Sequence, residues 1–575
     1  MDALVGVSIA NSDLTDGTAN GRTMIRSTCG LRSAGILGIV LLGACGHGVD
    51  ISSPSPVPPP APPPGDWLSY NRTLAGDRFS PLTEIDRTNV AQLKQICSYS
   101  LPEVTSLQTG PLVAGGTMYF TTDTISYAID ASTCAEKWKR VRHTETPSSI
   151  RVNRGFGYLN GKLFRGTSDA HVIALDAIDG HTLWDVELDV AGRGVTVPMA
   201  PIAWNGLVFV GNAGGDLVGV TGHVYALDVN DGHTTWRFDV VPETGPARAT
   251  WDLAPNHPAS GGAFWSSFTL DEANGLLYVP AGNPAPDFDL SLRRGGNLYS
   301  NSVIALDAMT GSLIAYNQIV KNDSHDWDVD SPPALFTTRS GVAIVASANK
   351  DGLLTVLDRS RLTRTGVPSG LLPGTALPMT WQMPTTTRSN VDVQLSRDHK
   401  THFCPGTQGG AEWNGAAFNP DLNILYAGAV DWCAAVQLAK DSITAPPPGR
   451  TWFGAETPTS QILDPPETAK GWLTAFDADN GSLRWKFAAP KPILAGVTPT
   501  AGGIVFAADM GGTLYAFDAA AGGVLWQLTT GQSIGGGIVT YTAAGRQLLG
   551  IASGMKSPLW PSGSESSRII VFGLR

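Results

Sequence analysis

The sequence is poor in charge, and most of the charge that it has is acidic. Only 15% of its 575 residues are Asp, Glu, Lys or Arg, and the formal net charge is −11. Nucleic-acid binding needs a basic footprint, so this balance argues against a nucleic-acid partner. Sparse charge together with 66 glycines favours many short strands and tight turns over long solvated helices.

Long apolar runs and haem-attachment motifs are also missing. The apolar stretch at residues 34–42 is shorter than the ~20 residues that span a bilayer, and no other stretch indicates a transmembrane helix. No Cys-x-x-Cys-His occurs, so we expect no c-type haem attached to this chain.

The N-terminal 45 residues predict export. Arg22, Arg26 and Arg32 precede the apolar stretch, which ends in Leu42-Gly43-Ala44-Cys45. A basic segment, a short apolar run and small residues are typical of a secretory signal. The ending resembles the bacterial lipobox, in which the Cys is acylated. We therefore expect a periplasmic protein with a lipid anchor to the membrane at Cys45; ordinary signal cleavage without a lipid is the alternative.

A proline-rich segment follows the signal. Residues 52–64 are almost entirely Pro, Ser, Ala and Val, a composition that favours an extended, semi-rigid spacer. The sequence therefore predicts a signal segment at 1–45, a linker at 46–65 and a folded body at 66–575.

Four cysteines remain outside the signal segment, an even number in an oxidising compartment. We expect the pairs Cys97–Cys134 and Cys404–Cys433, although the sequence alone permits three pairings.

A short pattern recurs along the folded body. It consists of an apolar strand ending in Asp, a turn and a closing aromatic residue. The copies are 127–130 with Trp138, 173–176 with Trp184, 225–228 with Trp236, 304–307 with Tyr316, 474–477 with Trp485 and 515–518 with Trp526, with a degenerate copy at 355–358. Alternating apolar residues indicate half-buried strands, Gly-containing turns close hairpins, and each closing Trp offers a large apolar plate. Units of ~40–50 residues made mainly of strands predict an all-β propeller. The length of the folded body allows about eight to ten such blades, and the room that the loops need favours eight.

The repeats resemble the tryptophan-docking motifs of the PQQ-dependent (quinoprotein) alcohol dehydrogenases, the methanol dehydrogenase family. The resemblance covers residues 66–575 and includes several motifs in order. They are Asp66-Trp67, residues 78–82, Val152-Asn153-Arg154-Gly155, residues 282–286, His325-Asp326-Trp327-Asp328 and the stretch from Cys404-Pro405-Gly406 to Asp431-Trp432-Cys433. It implies an enzyme that oxidises an alcohol with pyrroloquinoline quinone (PQQ) and passes electrons to a separate periplasmic cytochrome c.

The resemblance also implies a metal site. Asp216 and Asn283 match metal ligands, and Asp328 matches both a ligand and the catalytic base. Asp330 matches the extra carboxylate of lanthanide-using members. Oxygen ligands of this kind suit a hard cation, here Ca²⁺ or a lanthanide ion. Turn formation is the alternative role for each Asp.

The quinone pocket is implied in the same way. PQQ is a flat tricarboxylate, which needs cationic clamps and apolar plates. Arg154 matches the carboxylate partner, Lys350 the basic residue near the quinone oxygens and Trp265 the stacking floor, for which core packing is the alternative. The remaining implied contacts are Gln108, Ala213, Gly214, Gly215 and Asn414. Glu412 and Asn414 both flank Trp413, and the sequence leaves open which of them faces the pocket.

Some positions depart from the family pattern, and two other functions compete. The family's adjacent Cys-Cys pair falls on Ser148-Ser149, and an acidic contact falls on Gln108.

The propeller lipoprotein of the outer-membrane assembly machinery shares the lipobox and the Trp repeats, so a non-enzymatic scaffold is the alternative function. Polyvinyl alcohol dehydrogenases also resemble this architecture. They would differ from the proposed enzyme only in the substrate, a polymeric alcohol.

Overall fold

Strands account for nearly all regular structure in the computed structural model, which describes residues 65–143, 151–188, 194–364, 366, 372–441, 444–457 and 461–574. The predicted signal segment, the lipid site Cys45 and most of the predicted linker lie outside the described residues, as do Ser148 and Ser149. Within the described residues no helix combines the length and apolarity that a membrane span requires.

Eight antiparallel four-stranded sheets form the blades of a propeller, as the repeat predicted. Blades 1 to 4 are Leu112–Ala114, Thr117–Thr121, Ile125–Asp130 and Glu136–Val141; Gly157–Leu159, Lys162–Gly166, His171–Asp176 and Thr182–Glu187; Ile202–Trp204, Leu207–Gly211, His223–Asp228 and Thr234–Asp239; and Thr269–Asp271, Leu276–Pro280, Ser302–Asp307 and Leu313–Gln318. Blades 5 to 8 are Ala334–Thr337, Ala343–Ala348, Leu353–Asp358 and Met379–Pro384; Ala416–Asn419, Ile424–Asp431, Lys470–Asp477 and Leu483–Ala489; Thr498–Pro499, Ile504–Ala508, Thr513–Asp518 and Val524–Thr529; and Ile538–Ala543, Arg546–Ser553, Arg568–Gly573 and Lys94–Ser100.

Blade 8 combines strands from the two ends of the folded body. The strand Lys94–Ser100 pairs antiparallel with Arg568–Gly573, from Lys94 opposite Gly573 to Ser100 opposite Arg568. Closure of this kind joins the two ends of the folded body in one blade, and the separate blades keep only short edges.

Five closing Trp residues pack on the turn of the following blade, whereas Trp526, which closes the last copy of the repeat, is partly exposed. The indole Nε1 of Trp236 donates a hydrogen bond to the carbonyl oxygen of Ala308 at 3.1 Å, and its ring lies over Gly311. A Cβ at Gly311 would come within 2.5 Å of that ring, so only glycine fits. The same pairing occurs for Trp138 with Gly180, Trp184 with Gly232, Trp381 with Gly481 and Trp485 with Gly522.

The degenerate repeat at 355–358 also has a docking Trp, which the sequence pattern did not reveal. Trp381 closes blade 5, and its Nε1 donates to the carbonyl oxygen of Ala478 in the next blade. An excursion containing the 3-10 helix Pro373–Thr375 separates it from the Asp358 turn, which lengthens the repeat beyond its usual spacing.

Both expected disulfides are confirmed. Cys97, in blade 8, bonds to Cys134, in the last hairpin turn of blade 1, and so links the closing blade to its neighbour. Cys404 bonds to Cys433 beside a two-stranded ribbon of Thr401–Phe403 and Ala434–Val436.

Short elements complete the structure outside the blades. They are the ribbons Asp252–Leu253 with Arg293–Arg294 and Ser260–Gly261 with Pro284–Ala285, the helical turn Gly245–Arg248, and the 3-10 helices Val90–Gln92, Leu290–Leu292 and Pro466–Thr468. The second ribbon joins the segment before blade 4 to the loop after the second strand of that blade, and both segments carry predicted site residues.

Candidate active site

Residues from several blades converge on one cavity because of how the blades are built. In an antiparallel hairpin the start of the first strand and the end of the second strand lie at the same edge. Arg154, Trp265 and Asp328 precede the first strands of blades 2, 4 and 5. Asp216 and Asn283 follow the second strands of blades 3 and 4. All five line a cavity of about 180 Å³.

Asp328 is held at the cavity wall by two hydrogen bonds. Its Oδ1 accepts from the backbone N–H of Asn283 at 2.8 Å, and its Oδ2 accepts from Lys350 Nζ at 2.9 Å. A Cβ at Gly282 would lie 2.6 Å from Asp328 Oδ1. The carboxylate therefore approaches the chain at a place where any side chain would displace it.

Lys350 is a buried cation shared by two carboxylates. Its Nζ lies 2.9 Å from Asp328 Oδ2 and 3.2 Å from Asp326 Oδ1. Burial lowers the pKa of Lys350, but the charges of Asp326 and Asp328 outweigh burial and raise that pKa well above its ordinary value. Lys350 therefore stays protonated at neutral pH. Asp326 is a cavity residue that the sequence reasoning passed over, although it lies in the same His325-Asp326-Trp327-Asp328 motif.

Asp216 and Asn283 face the cavity as expected, whereas Asp330 lies behind its wall. Burial, and then the charge of Asp328, raise the pKa of Asp216 to about 6. Asp330 is buried outside the residues that line the cavity, and its Oδ2 accepts a hydrogen bond from the backbone N–H of Trp265 at 2.7 Å. Asp330 thus positions Trp265, and its other oxygen has no partner among the described residues.

The three carboxylates do not meet at a single point. Among the described residues, sets of three acidic, His or Cys ligand atoms within 4.8 Å of one another occur at two hairpin turns of blades 2 and 3 and beside the Cys404–Cys433 disulfide. Asp216, Asp328 and Asp330 form no such set. The structure therefore brings Asp216, Asn283 and Asp328 to one cavity, and it leaves the metal roles of all four residues as predictions.

Two indoles and a guanidinium form another wall. The Arg154 guanidinium carbon lies 5.1 Å from the ring centroid of Trp265 and 4.9 Å from that of Trp413. Arg154 also donates from Nη1 to the carbonyl oxygen of Trp265 at 2.5 Å. Burial lowers the pKa of Arg154 to about 10, so the group stays charged at neutral pH. Trp413 and Trp560, which also line the cavity, were not among the predicted contacts.

The structure decides between the two neighbours of Trp413. Asn414 is fully buried, and its Nδ2 donates to the carbonyl oxygens of Gly428 and Ile493. Its Oδ1 accepts from the backbone N–H of Glu412. Because these bonds turn Asn414 toward the backbone of blade 6, the predicted cofactor contact at Asn414 is wrong. Glu412 lines the cavity instead, and burial raises the pKa of its carboxyl to about 8.

The remaining predicted contact residues also lie at the cavity, and their contacts with a cofactor stay predictions. Gln108 and the loop Ala213-Gly214-Gly215 line the cavity. Gly214 has a φ of +109°, and a Cβ there would lie 2.9 Å from the carbonyl oxygen of Gly194. Glycine at this position therefore lets the loop pass close to its neighbour while it presents backbone to the cavity.

Comparison with known proteins identifies the family of the chain. The PQQ family model, described as glucose/ethanol/alcohol dehydrogenase, beta-propeller domain, matches residues 67–394. A second model, described as outer membrane protein assembly factor BamB, matches residues 469–561.

Similar proteins extend over most of the chain. A quinohemoprotein alcohol dehydrogenase of Pseudomonas putida is 29% identical over 550 residues, covering 89% of this chain and 78% of that protein. A lanthanide-dependent methanol dehydrogenase of Methylacidiphilum fumariolicum is 28% identical over 534 residues, covering 86% and 85%.

Solved structures share the fold. A europium-containing methanol dehydrogenase superposes with a TM-score of 0.76 at 25% identity and covers 89% of this chain and 98% of its own. The quinohemoprotein alcohol dehydrogenase of Comamonas testosteroni gives 0.77 at 24% identity, covering 89% and 80%. Since the first family model spans more than half of the sequence, the chain belongs to the family of PQQ-dependent alcohol dehydrogenases.

Proposed function

We propose that this protein oxidises an alcohol with PQQ and a bound Ca²⁺ or lanthanide ion. We further propose that it works in the periplasm, anchored through Cys45, and passes its electrons to a separate cytochrome c. The observation that carries the catalytic part is the cavity, where a carboxylate held by a buried Lys faces side chains from neighbouring blades. The location rests on the pattern of residues 22–45, and the separate acceptor rests on the lack of a Cys-x-x-Cys-His in the sequence.

The cavity residues fit these two groups. Glu412 Oε1 and Arg154 Nε at the cavity, and Asp330 Oδ1 behind its wall, are buried without a hydrogen-bond partner among the described residues. Buried polar atoms are normally paired, carboxylate oxygens are the ligands of hard cations, and guanidinium N–H groups bind planar carboxylates. A bound cation and a planar polycarboxylate supply the partners that these atoms lack.

We assign the residues as follows. Asp216, Asn283 and Asp328 hold the metal ion, with Asp330 behind them. Arg154 and Lys350 bind the acidic and quinone oxygens of the cofactor, and Trp265 supports its ring, together with Gln108, Ala213, Gly214, Gly215 and Glu412. When bound, PQQ supplies the two-electron oxidant, and the metal ion increases its electrophilicity.

Asp328 then acts as the general base. Lys350 Nζ and the N–H of Asn283 fix the orientation of its carboxylate, which takes the hydroxyl proton of the alcohol. The walls made by Trp265 and Trp413 narrow the cavity and limit water around the reacting atoms. The scaffold alternative gains little from the match at 469–561, because that range contains none of the acidic residues that line the cavity.

Reconstitution tests the proposal. Purified protein is loaded with PQQ and either Ca²⁺ or La³⁺, and a dye acceptor reports turnover of alcohols from methanol to polyvinyl alcohol. We expect turnover that needs both additions, and a loss of about 10²–10⁴-fold in Asp328→Asn, the range for removing a general base. Wild-type protein that binds PQQ and metal but oxidises none of the alcohols would contradict the proposal, and so would full activity in Asp328→Asn.

A further inference from the structure

Asp287 is a buried carboxylate that lacks a hydrogen-bond partner among the described residues, and it lies four residues after the predicted ligand Asn283. Its side chain is 0% exposed, and neither Oδ1 nor Oδ2 accepts a hydrogen bond from any described residue. Fully buried carboxylates in proteins are paired, or they coordinate a metal ion. An isolated one at this depth therefore points to a cation.

The nearby buried arginine does not fill this role. Arg293 directs its Nε and Nη2 to the carbonyl oxygens of Pro286, Asp287 and Asp323, and its Nη1 to Asn297 Oδ1. It thus binds the backbone of Asp287 and leaves the carboxylate untouched. The other charges that act on Asp287 are those of Asp216, Asp326 and Asp328, and all of them are negative.

The loop that carries Asp287 is tied to the loop that carries Asp216. The backbone N–H of Trp452 donates to the carbonyl oxygen of Asp216 at 2.8 Å, and the N–H of Phe288 donates to the carbonyl oxygen of Phe453 at 3.0 Å. One two-residue segment therefore binds both loops and ties the loop of Asp287 to the loop of Asp216.

A turn-forming role does not account for Asp287, as its neighbour shows. Asp289, two residues later, is equally buried, but its Oδ1 accepts from the N–H and the hydroxyl of Ser291 at 3.0 and 2.6 Å. Its Oδ2 pairs with Arg397 at 2.6 Å. Asp289 is thus a structural carboxylate with both oxygens in use, and it offers a matched control from the same loop.

We propose that Asp287 is a further carboxylate ligand of the ion held by Asp216 and Asn283, and that its charge biases the site toward a trivalent ion. This inference rests on the proposed function, since it assumes that the cavity binds a metal ion. A third carboxylate ligand, added to Asp216 and Asp328, favours an ion of charge +3 over Ca²⁺, because Coulomb attraction grows with the charge of the ion. Charge count is also how oxygen-ligand sites tune their affinity.

Terbium luminescence tests the assignment without turnover. Metal-stripped full-length protein is titrated with Tb³⁺, whose emission is sensitised by the indoles of Trp265 and Trp413 at the cavity. Emission lifetimes in H₂O and D₂O then count the water molecules on the ion. Asp287→Ala should add about one or two waters, for a monodentate or a bidentate carboxylate, and should weaken Tb³⁺ binding at least ~10-fold. In competition titrations with Ca²⁺, the affinity of Asp287→Ala for Ca²⁺ should fall by a smaller factor than its affinity for Tb³⁺. Asp289→Asn should match wild type in the hydration of the bound ion and in affinity.

Thermal unfolding gives an independent readout. It uses a second variant, Asp287→Asn, so that the test does not depend on the folding of Asp287→Ala. Asp287→Asn keeps the shape of the side chain but removes an unpaired buried charge. Its metal-free Tm should therefore equal or exceed that of wild type, while the rise in Tm on adding Tb³⁺ should shrink. If Asp287 only stabilised the fold, the results would be reversed. Asp287→Asn would then have a lower metal-free Tm than wild type, and the rise in Tm on adding Tb³⁺ would be unchanged.

The outcomes separate this inference from the proposed function. Unchanged hydration and unchanged Tb³⁺ affinity in both Asp287 variants would overturn the assignment of Asp287 and leave the metal site standing. Wild-type protein whose Tb³⁺ emission is absent, or is unaffected by Asp216→Asn, would overturn both.

Discussion

Gly282 is the position where the smallest enlargement should disturb the candidate base. A Cβ at Gly282 would lie 2.6 Å from Asp328 Oδ1 and 2.9 Å from the carbonyl oxygen of Ala263. To reach an ordinary contact of 3.4 Å, the carboxylate has to retreat by about 0.8 Å. That retreat stretches the 2.8 Å hydrogen bond from the N–H of Asn283 beyond its useful range.

The displacement is large on the scale that matters for catalysis. A misplacement of about 1 Å costs on the order of 10²-fold in rate, so Gly282→Ala should lower kcat by about that factor. Overpacking should also cost about 1–3 kcal/mol in the free energy of unfolding. Because Gly282 has no left-handed φ, the loss comes from the contact with Asp328 and Ala263 and not from backbone strain.

The assay is steady-state turnover with a dye acceptor in protein loaded with PQQ and metal, accompanied by urea unfolding. Gly523→Ala is the matched control, because a Cβ at Gly523 meets nothing within 4 Å; it should keep both kcat and stability. A Gly282→Ala enzyme with wild-type kcat would refute the placement of Asp328 against the chain at Gly282.

Further predictions concern stability and its dependence on pH. Lys350→Met should lower the free energy of unfolding by about 3–5 kcal/mol in urea, because Asp328 and Asp326 lose the buried cation that they share; a change below about 1 kcal/mol would contradict that pairing. Trp236→Ala should cost about 3–5 kcal/mol in thermal unfolding, and the partly exposed Trp526→Ala should cost clearly less; equal losses would argue against docking. Burial raises the pKa of Glu412 to about 8 from 4.5, so the folded protein retains a proton that the unfolded chain releases. The stability of metal-free protein should therefore fall as the pH rises from about 5 to 8, and Glu412→Gln should flatten that fall in urea midpoints; an unchanged slope would count against the raised pKa.

The fold was predictable because its signals are local. One hairpin contains the alternating strand, the Asp that ends it, the Gly in the turn and the closing Trp. Each copy of the repeat can therefore be recognised from a short segment of sequence. The pattern failed for Trp381, where the excursion after Asp358 stretches the unit. An even count of cysteines predicted two disulfides. Which of the three possible pairings forms depends on which cysteines the fold brings together.

The site was less predictable, since its geometry depends on segments that have no periodicity. Glu412 and Asn414 are equally spaced about Trp413, and only the path of the chain into blade 6 turns one to the cavity and the other to the backbone. Asp330 resembles Asp328 in sequence but bonds to the N–H of Trp265. Asp287 carried no signal, because the bonds that bring its loop beside Asp216 run through Trp452 and Phe453, more than 160 residues away.

The amino-acid sequence by itself determined the propeller and the family, because both depend on motifs that are complete within a few tens of residues, whereas it left eight to ten blades open and only favoured eight. Tertiary structure alone decided which polar side chains meet. Closure of blade 8 brings the blade edges around one axis, and there burial and neighbouring charge give each carboxylate a different environment. Asp328 is thereby paired with Lys350, Asp330 is directed to Trp265, and Asp287 is left without a partner among the described residues.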